Sequence, residues 1–415
     1  MIKNLLMGAL LLCCVNLYAQ RKVDWKPMLD YTLQLHKKST HKAQYPFERD
    51  WEEIGPGYCY GPAFGHWDVV HQILDALVYD EQHAIDQLYN NIQNQEPNGM
   101  VPGSIWFPNP KINRTKLRWN KNTEGHPPVW VYAVDDYIQQ TNNWKVLKDF
   151  FPALVRQITW FENNRKAEGK GYFYNDIVNH HWESGVDEGI RFYQVEMGKK
   201  SCIDATSHVY AMYYFAAKWG KQLNVSTSFY ARKAEELAEY INNDLYNEAK
   251  GSYFDSWSVN EPKKQRLVFE NFWPMIVGVC SKERADRLID DYMLNPKHFF
   301  SKHPVTTVSM SDPGFELRMW RGPAWNSMTY WAARACVRYK RYDAAKKILK
   351  RALDQSAIAY KKTGTIWEFY HPHGGDQMEV KRKPHTKYNT PSRDYLGHCP
   401  LIAMAQLYDQ IKDLD

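Results

Sequence analysis

The sequence predicts an all-α fold, an (α/α)6 toroid whose long loops form the rim of an active site. Three observations predict it. From Trp25 onward the apolar residues recur at helical spacing nearly everywhere and resolve into about twelve segments. Short turns and long, aromatic-rich loops alternate between those segments, which is the pattern of helical hairpins with function on one rim. No Pro/Ser/Gly-rich linker, low-complexity tract or residue-level repeat divides the chain. Twelve helices without a linker fit one closed ring better than two small bundles, so a single domain is expected over residues 20–415.

Taken in order, residues 1–19 read as an export signal. Lys3 supplies the charged start, Leu5 to Val15 the short apolar core, and Tyr18-Ala19 the small-residue end. Cys13 and Cys14 raise a lipoprotein reading, but Leu12 is too large for the usual lipid-modification site. A secreted or periplasmic location is expected. No later stretch approaches the roughly 18 consecutive apolar residues that span a bilayer. The helices are expected at Trp25–Lys37, His66–Tyr79, Glu81–Asn94, Pro127–Gln140, Trp144–Asn163, Ser201–Gln222, Ser226–Asn247, Glu270–Val279, Ser281–Tyr292, Gly322–Tyr339, Tyr342–Ala357 and Gly397–Ile411. Pro127-Pro128, Ser226 and Ser281 supply helix starts. Strand-like alternation is confined to Ser252–Trp257 and Gly364–Phe369.

Composition narrows the function. The chain is 44% hydrophobic and 15% aromatic, and the excess of Trp and Tyr over what a core needs points to surfaces that stack on flat ligands. With 53 basic and 47 acidic residues the net charge is +6, a mixed surface and not a nucleic-acid footprint. The short cluster Lys381-Arg382-Lys383 reads as a solvated loop. Cys59, Cys202, Cys280, Cys336 and Cys399 follow the signal, odd in number, far apart and without a C-x-x-C. They indicate neither a disulfide framework nor a zinc site and read as small buried apolar residues.

The densest set of chemical groups is His181-Trp182-Glu183-Ser184-Gly185-Val186-Asp187-Glu188-Gly189-Ile190-Arg191-Phe192. One of Glu183, Asp187 and Glu188 is suited to stay protonated and act as a general acid; a solvated acidic loop is the plainer alternative. Phe64-Gly65-His66-Trp67-Asp68 opens the second helix, with Asp68 either lining a ring-walled site or capping the helix. Met319-Trp320-Arg321-Gly322-Pro323-Ala324-Trp325 places Arg321 between two indoles, where it grips hydroxyls or makes a structural cation–π contact. Trp367-Glu368-Phe369-Tyr370 sets a carboxylate among aromatics before a Gly-rich turn. His371 with His373, and His180 with His181 and Glu183, lack metal-site partner spacing, and no G-x-S-x-G elbow is present. A carboxylate pair, one member near Asp187 and the other at Glu368, is the chemistry that survives, and glycoside hydrolysis needs such a pair.

In this order the motifs resemble the inverting glycosidases of the (α/α)6 clan: glycoside hydrolase family 63, the mannosylglycerate-hydrolase-like domain and the trehalases. Glu183-Ser184-Gly185-Val186-Asp187 is similar to their E-S-G-x-D loop, Trp367-Glu368-Phe369-Tyr370 to the later E-x-Y element, and Trp320 to Trp325 to the W-R-G-P-x-W signature. Trp67-Asp68, Asn98-Gly99-Met100-Val101-Pro102, His126-Pro127-Pro128 and Cys202-Ile203-Asp204 match further elements from Gly55 onward. The resemblance implies Asp187 as general acid and Glu368 as general base. It implies Trp67, Asp68, Arg191, Asp204, Trp320, Arg321 and Trp367 around the substrate; Glu188 departs from the small or aromatic residues more usual there and is expected to contact the substrate as a selector. The two carboxyl groups are expected about 6.5–9.5 Å apart.

The expected activity is inverting hydrolysis of an α-linked glycoside, an α-glucoside first, without metal or cofactor. Trehalose- or mannosylglycerate-like specificity, a toroid epimerase or lyase, and a non-catalytic sugar-binding protein are the alternatives. The expected partner is an oligosaccharide or glycoside, not nucleic acid or membrane.

Overall fold

The computed structural model describes residues 23–119, 124–179, 182–193 and 195–415; the export reading of residues 1–19 and the pair His180 and His181 lie outside them. Thirteen α-helices carry the described chain: α1 Lys26–Ser39, α2 Asp68–Tyr79, α3 Glu81–Gln93, α4 Trp130–Thr141, α5 Leu147–Asn164, the short α6 Asp176–Asn179, α7 Ile203–Gln222, α8 Ser228–Asp244, α9 Trp273–Val277, α10 Lys282–Arg287, α11 Asn326–Arg338, α12 Tyr342–Thr363 and α13 Leu401–Ile411.

Burial sorts them into two rings. In α2 every residue from Asp68 to Leu77 is buried, and α11 is buried from Asn326 to Ala333. In α8, by contrast, only Ala234, Leu237, Tyr240 and Ile241 are buried, one apolar stripe at helical spacing. A helix covered on every side sits inside; one with a single stripe sits outside. The inner helices α2, α4, α7, α9 and α11 pack in sequence, and α13 returns to α2. Outer helices α3, α5, α8 and α12 each cover an inner neighbour, and α1 packs on α12 and α13. This is the (α/α)6 toroid expected from the helical spacing.

Helix starts are where the expectation slips. The run begun at Pro127 becomes helical at Trp130, and the one begun at Gly397 at Leu401. The longer loops that result deliver side chains to one mouth of the ring. Ser281 caps α10 as expected, accepting from the Arg284 amide at 3.2 Å. Ser226 does not cap α8: Thr227 holds that position without a side-chain bond.

Strand structure is slight. Ala63–Gly65, Ser104–Trp106 and Arg118–Trp119 form a three-stranded sheet on the rim, and Tyr246–Asn247 pairs with Ser252–Tyr253. Gly364–Phe369 is not a strand. Residues 366–370 run extended between residues 392–394 and Ala324, held by isolated bridges.

The five cysteines among the described residues are unpaired, and four of them are buried. No helix among the described residues is long and apolar enough to cross a membrane.

Candidate active site

The inner helices start at the same mouth of the ring, and a small cavity lies where those starts converge. Trp67, Val186, Asp204, Glu270, Trp273 and Trp320 are among its lining residues. Its aromatic wall is a stack: Trp67 and Trp320 lie 5.8 Å apart at 18°, and Trp320 and Trp325 lie 3.8 Å apart at 7°. The His398 ring stands edge-on to all three indoles. Gly185 presses flat on this wall. A Cβ there would lie 2.0 Å from the Trp67 ring, and its φ of +74° is one that side chains disfavour. The glycine of the E-S-G-x-D loop is therefore set by close approach to the indole.

That contact fixes the three carboxylates of the loop in different roles. Glu183 is buried and gripped by Arg165, whose Nε and Nη2 donate at 2.6 and 2.8 Å, while the Asn175 and Gly125 amides also donate to it. Ser184 donates its amide and hydroxyl to Asp176 of α6 at 2.9 and 2.7 Å. Burial pushes the Asp176 carboxyl up to about 8. Glu188 takes a positive φ of 59° and pairs with Arg318 at 3.1 Å. Asp187 is left. It has no hydrogen bond from the described residues, its side chain is 21% exposed, and its nearest charge is Lys383 Nζ at 3.9 Å. Burial raises its carboxyl to about 6; Lys383 and Arg382 work against that rise, and Glu368 and Glu188 add to it.

Glu368 sits in opposite surroundings, among donors. It is 2% exposed, accepts the Arg382 Nε–H on both oxygens at 2.9 Å and accepts the Ser392 amide at 2.9 Å. A buried carboxyl that faces a guanidinium and an amide donor has its oxygens fixed as charge-assisted acceptors. Asp68 stands on the floor at the first residue of α2, taking the Tyr395 hydroxyl at 2.7 Å with His398 Nε2 at 3.5 Å. Burial first, then the charges of Glu368 and Asp187, raise it to about 7. The cap position belongs to Trp67, so Asp68 is the first helical residue and not the cap. The three carboxylates are close enough for their charges to act on one another.

Arg191 is placed differently from its expected grip on substrate. It is buried, with Nη1 donating to Asp204 and Asp255 at 3.2 and 2.7 Å and Nη2 donating to Asp204 at 2.6 Å. Its Nε lies 2.9 Å from Glu270. A guanidinium out of water requires counter-charges on its donor edges, so Arg191 braces the cavity floor while Asp204 and Glu270 face the cavity. Burial raises Asp255 to about 6 and Glu270 to about 7. Cys202, Asp204 and Asp255 approach metal-ligand spacing, but the Arg191 guanidinium fills the space between the two aspartates.

Trp367 is the clearest departure. Adjacent residues of an extended run point to opposite faces; with Glu368 turned to the cleft, Trp367 turns away, under Arg393 and bonded to Thr363. Arg321 ties the rim together: its Nε donates to the Glu188 carbonyl at 2.9 Å and its Nη1 to Glu316 at 3.0 Å, with Tyr193 beneath it. His371 pairs with Glu379 and accepts the His373 amide, bonds that account for both ring nitrogens.

The basic cluster read as a solvated loop is the largest correction. Arg382 is 3% exposed and clamps Glu368, and Lys383 reaches Asp187. Burial alternates along Val380, Lys381 and Arg382, a strand-like signal that the run of positive charge obscured. His398 falls in the run expected to start a helix at Gly397, and Tyr395 lies just ahead of that run, where no motif marks it; Glu270, expected at the start of a helix, lies in a 3-10 turn ahead of α9.

A toroid of paired helices with two environmentally opposed carboxylates at one mouth defines the six-hairpin glycosidase class. Residues 62–395 match the family model of the mannosylglycerate hydrolase MGH1-like glycoside hydrolase domain, and the chain belongs to that family. A relative of uncharacterised function from Borreliella burgdorferi is 25% identical over 74% of this chain and 63% of its own length. A probable mannosyl-oligosaccharide glucosidase from Schizosaccharomyces pombe is 21% identical over 86% of this chain and 52% of its own length. The chain thus spans less than two thirds of either relative.

Among solved structures, the family 63 mannosylglycerate hydrolase from Thermus thermophilus, crystallised with Tris and D-glycerate, superposes with a TM-score of 0.68 at 16% identity. The superposition covers 92% of this chain and 100% of that one. The neutral trehalase of Saccharomyces cerevisiae gives 0.60 at 15% identity over 84% and 72% of the two chains. At these identities the superpositions establish the fold.

Proposed function

We propose that this chain is an inverting glycoside hydrolase that cleaves an α-linked glycoside, an α-glucoside first, with Asp187 as general acid and Glu368 as general base. The observation that carries the reading is the opposed environment of the two groups. Asp187 has no hydrogen-bond donor among the described residues and is raised to about 6 by burial, so it holds a proton in mildly acidic solution. Glu368 is clamped by Arg382 and the Ser392 amide, contacts that fix its position as the acceptor of a proton from water. Asp187 donates to the glycosidic oxygen as the bond to the anomeric carbon breaks, and a water activated by Glu368 attacks from the opposite face. The Trp67–Trp320 stack offers an apolar surface to the sugar ring, and Asp68, Asp204 and Glu270 accept from its hydroxyls. The probable mannosyl-oligosaccharide glucosidase and the family 63 mannosylglycerate hydrolase among the similar proteins support the substrate class.

The same reading places the protein outside the cytoplasm, with residues 1–19 as the export signal. The test is proton NMR of the mature protein with maltose, nigerose, kojibiose, trehalose and mannosylglycerate. Inversion releases the sugar attacked at its anomeric carbon as the β-anomer, which with trehalose means equal α- and β-glucose at first. Release of the attacked sugar as the α-anomer, or no cleavage of any α-linked substrate, refutes the proposal. D187N and E368Q should each fold and lose turnover.

A further inference from the structure

Lys383 is the one cation within 4.0 Å of Asp187 among the described residues, with Nζ at 3.9 Å from Oδ2. Its ammonium is itself held by rings, 5.3 Å from the Trp182 centroid and 5.6 Å from that of Tyr60, contacts that favour a cation over an aromatic face. The side chain is 19% exposed, so the pair is only partly screened. The backbone before it is anchored: Arg382 donates its amide to Asn389 O at 2.8 Å, and the Arg382 side chain clamps Glu368. Adjacent residues of one segment therefore contact the proposed acid and the proposed base.

We propose that Lys383 is a positioning residue for the general acid, its ammonium tethering the Asp187 carboxyl from the opposite wall of the cleft. The inference rests on the roles given to Asp187 and Glu368 above. Asp187 has no hydrogen bond from the described residues to orient it, and a general acid acts only within hydrogen-bond reach of the oxygen it protonates. The ammonium supplies that orientation and stabilises the carboxylate left after proton transfer. The other charges acting on Asp187 are Glu188 on its own loop, and Arg382 and Glu368 across the cleft; Asp68 on α2 couples to it as well. The carboxylates favour the protonated acid. Lys383 and Arg382 oppose them, and Arg382 is already committed to Glu368.

The test uses the full mature protein carrying carboxyl-13C aspartate, with the Asp187 signal assigned by D187N. In K383M the Asp187 titration midpoint should rise by about one pH unit, the lower end of what a neighbouring opposite charge contributes. The basic limb of kcat/KM should rise with it, and kcat should fall; K383R should restore midpoint and limb. An unmoved midpoint in folded K383M overturns the proposal, as does a midpoint raised equally in K383R. The NMR midpoint is read without substrate, so its outcome is separate from whether the protein hydrolyses a given glycoside. K383Q provides the same comparison if K383M fails to give a wild-type melting curve.

Discussion

Replacing Asp187 by asparagine removes one proton and leaves the side-chain shape. General acid catalysis contributes about 10²–10⁴-fold, so D187N should lose about 3–5 kcal/mol of transition-state stabilisation on a substrate with a poor leaving group. A glycosyl fluoride does not need its leaving group protonated, and on α-glucosyl fluoride D187N should keep activity within about tenfold of the parent. The wild-type basic limb, set by a carboxyl raised to about 6, should be present for the disaccharide and absent for the fluoride.

Stability should move the other way. A carboxyl whose folded value lies above its unfolded value of 3.8 favours the folded state at low pH. That contribution is lost as pH rises from about 4 to about 6. At pH 7 the buried charge is a cost of up to about 3 kcal/mol, reduced by partial exposure, so D187N should melt higher than wild type at pH 7 and no higher at pH 3. Equal loss on both substrates, or a lower melting temperature at pH 7, would refute the assignment.

Three further outcomes follow from the packing. Glu52 is fully buried and receives His36, His83 and Gln72 at 2.7 to 2.8 Å. Burial opposes its charge, but His36 and His83 hold it down at about 2, and burial likewise opposes His36, which Glu52 and Asp75 hold up at about 10. Glu52's contribution is present above its ordinary range and lost as pH falls through about 2; that of His36 is present below its ordinary range and lost as pH rises through about 10. E52Q should therefore lose about 3–5 kcal/mol in denaturant titration at pH 7, and a loss near zero would dismiss the network.

G185A should lower stability by about 1–3 kcal/mol through strain and overpacking on Trp67 and raise KM; an unchanged KM would detach the glycine from the indole wall. R191M should cost about 3–5 kcal/mol by stranding Asp204, Asp255 and Glu270. Wild-type melting with only KM raised would restore Arg191 to the substrate-gripping role.

The helical spacing from Trp25 onward determined the helices, and the missing linkers determined one ring. Burial of a helix on one side or on all sides follows from which residues are apolar, and that is local information. The candidate site was legible where a loop carries its own constraint: Gly185 before Asp187, the paired indoles Trp320 and Trp325, and Glu368 among aromatics. Roles that depend on a distant partner were not legible. Glu183, Asp187 and Glu188 are equivalent in the sequence and become different only because Arg165, Lys383 and Arg318 reach them from elsewhere. Arg191 looks like a substrate anchor until three carboxylates from separate segments surround it. Arg382 looks solvated until the rim folds it onto Glu368, more than a dozen residues away in the chain. Charge takes its meaning from desolvation and from the sign of its neighbours, and only the closed toroid supplies both.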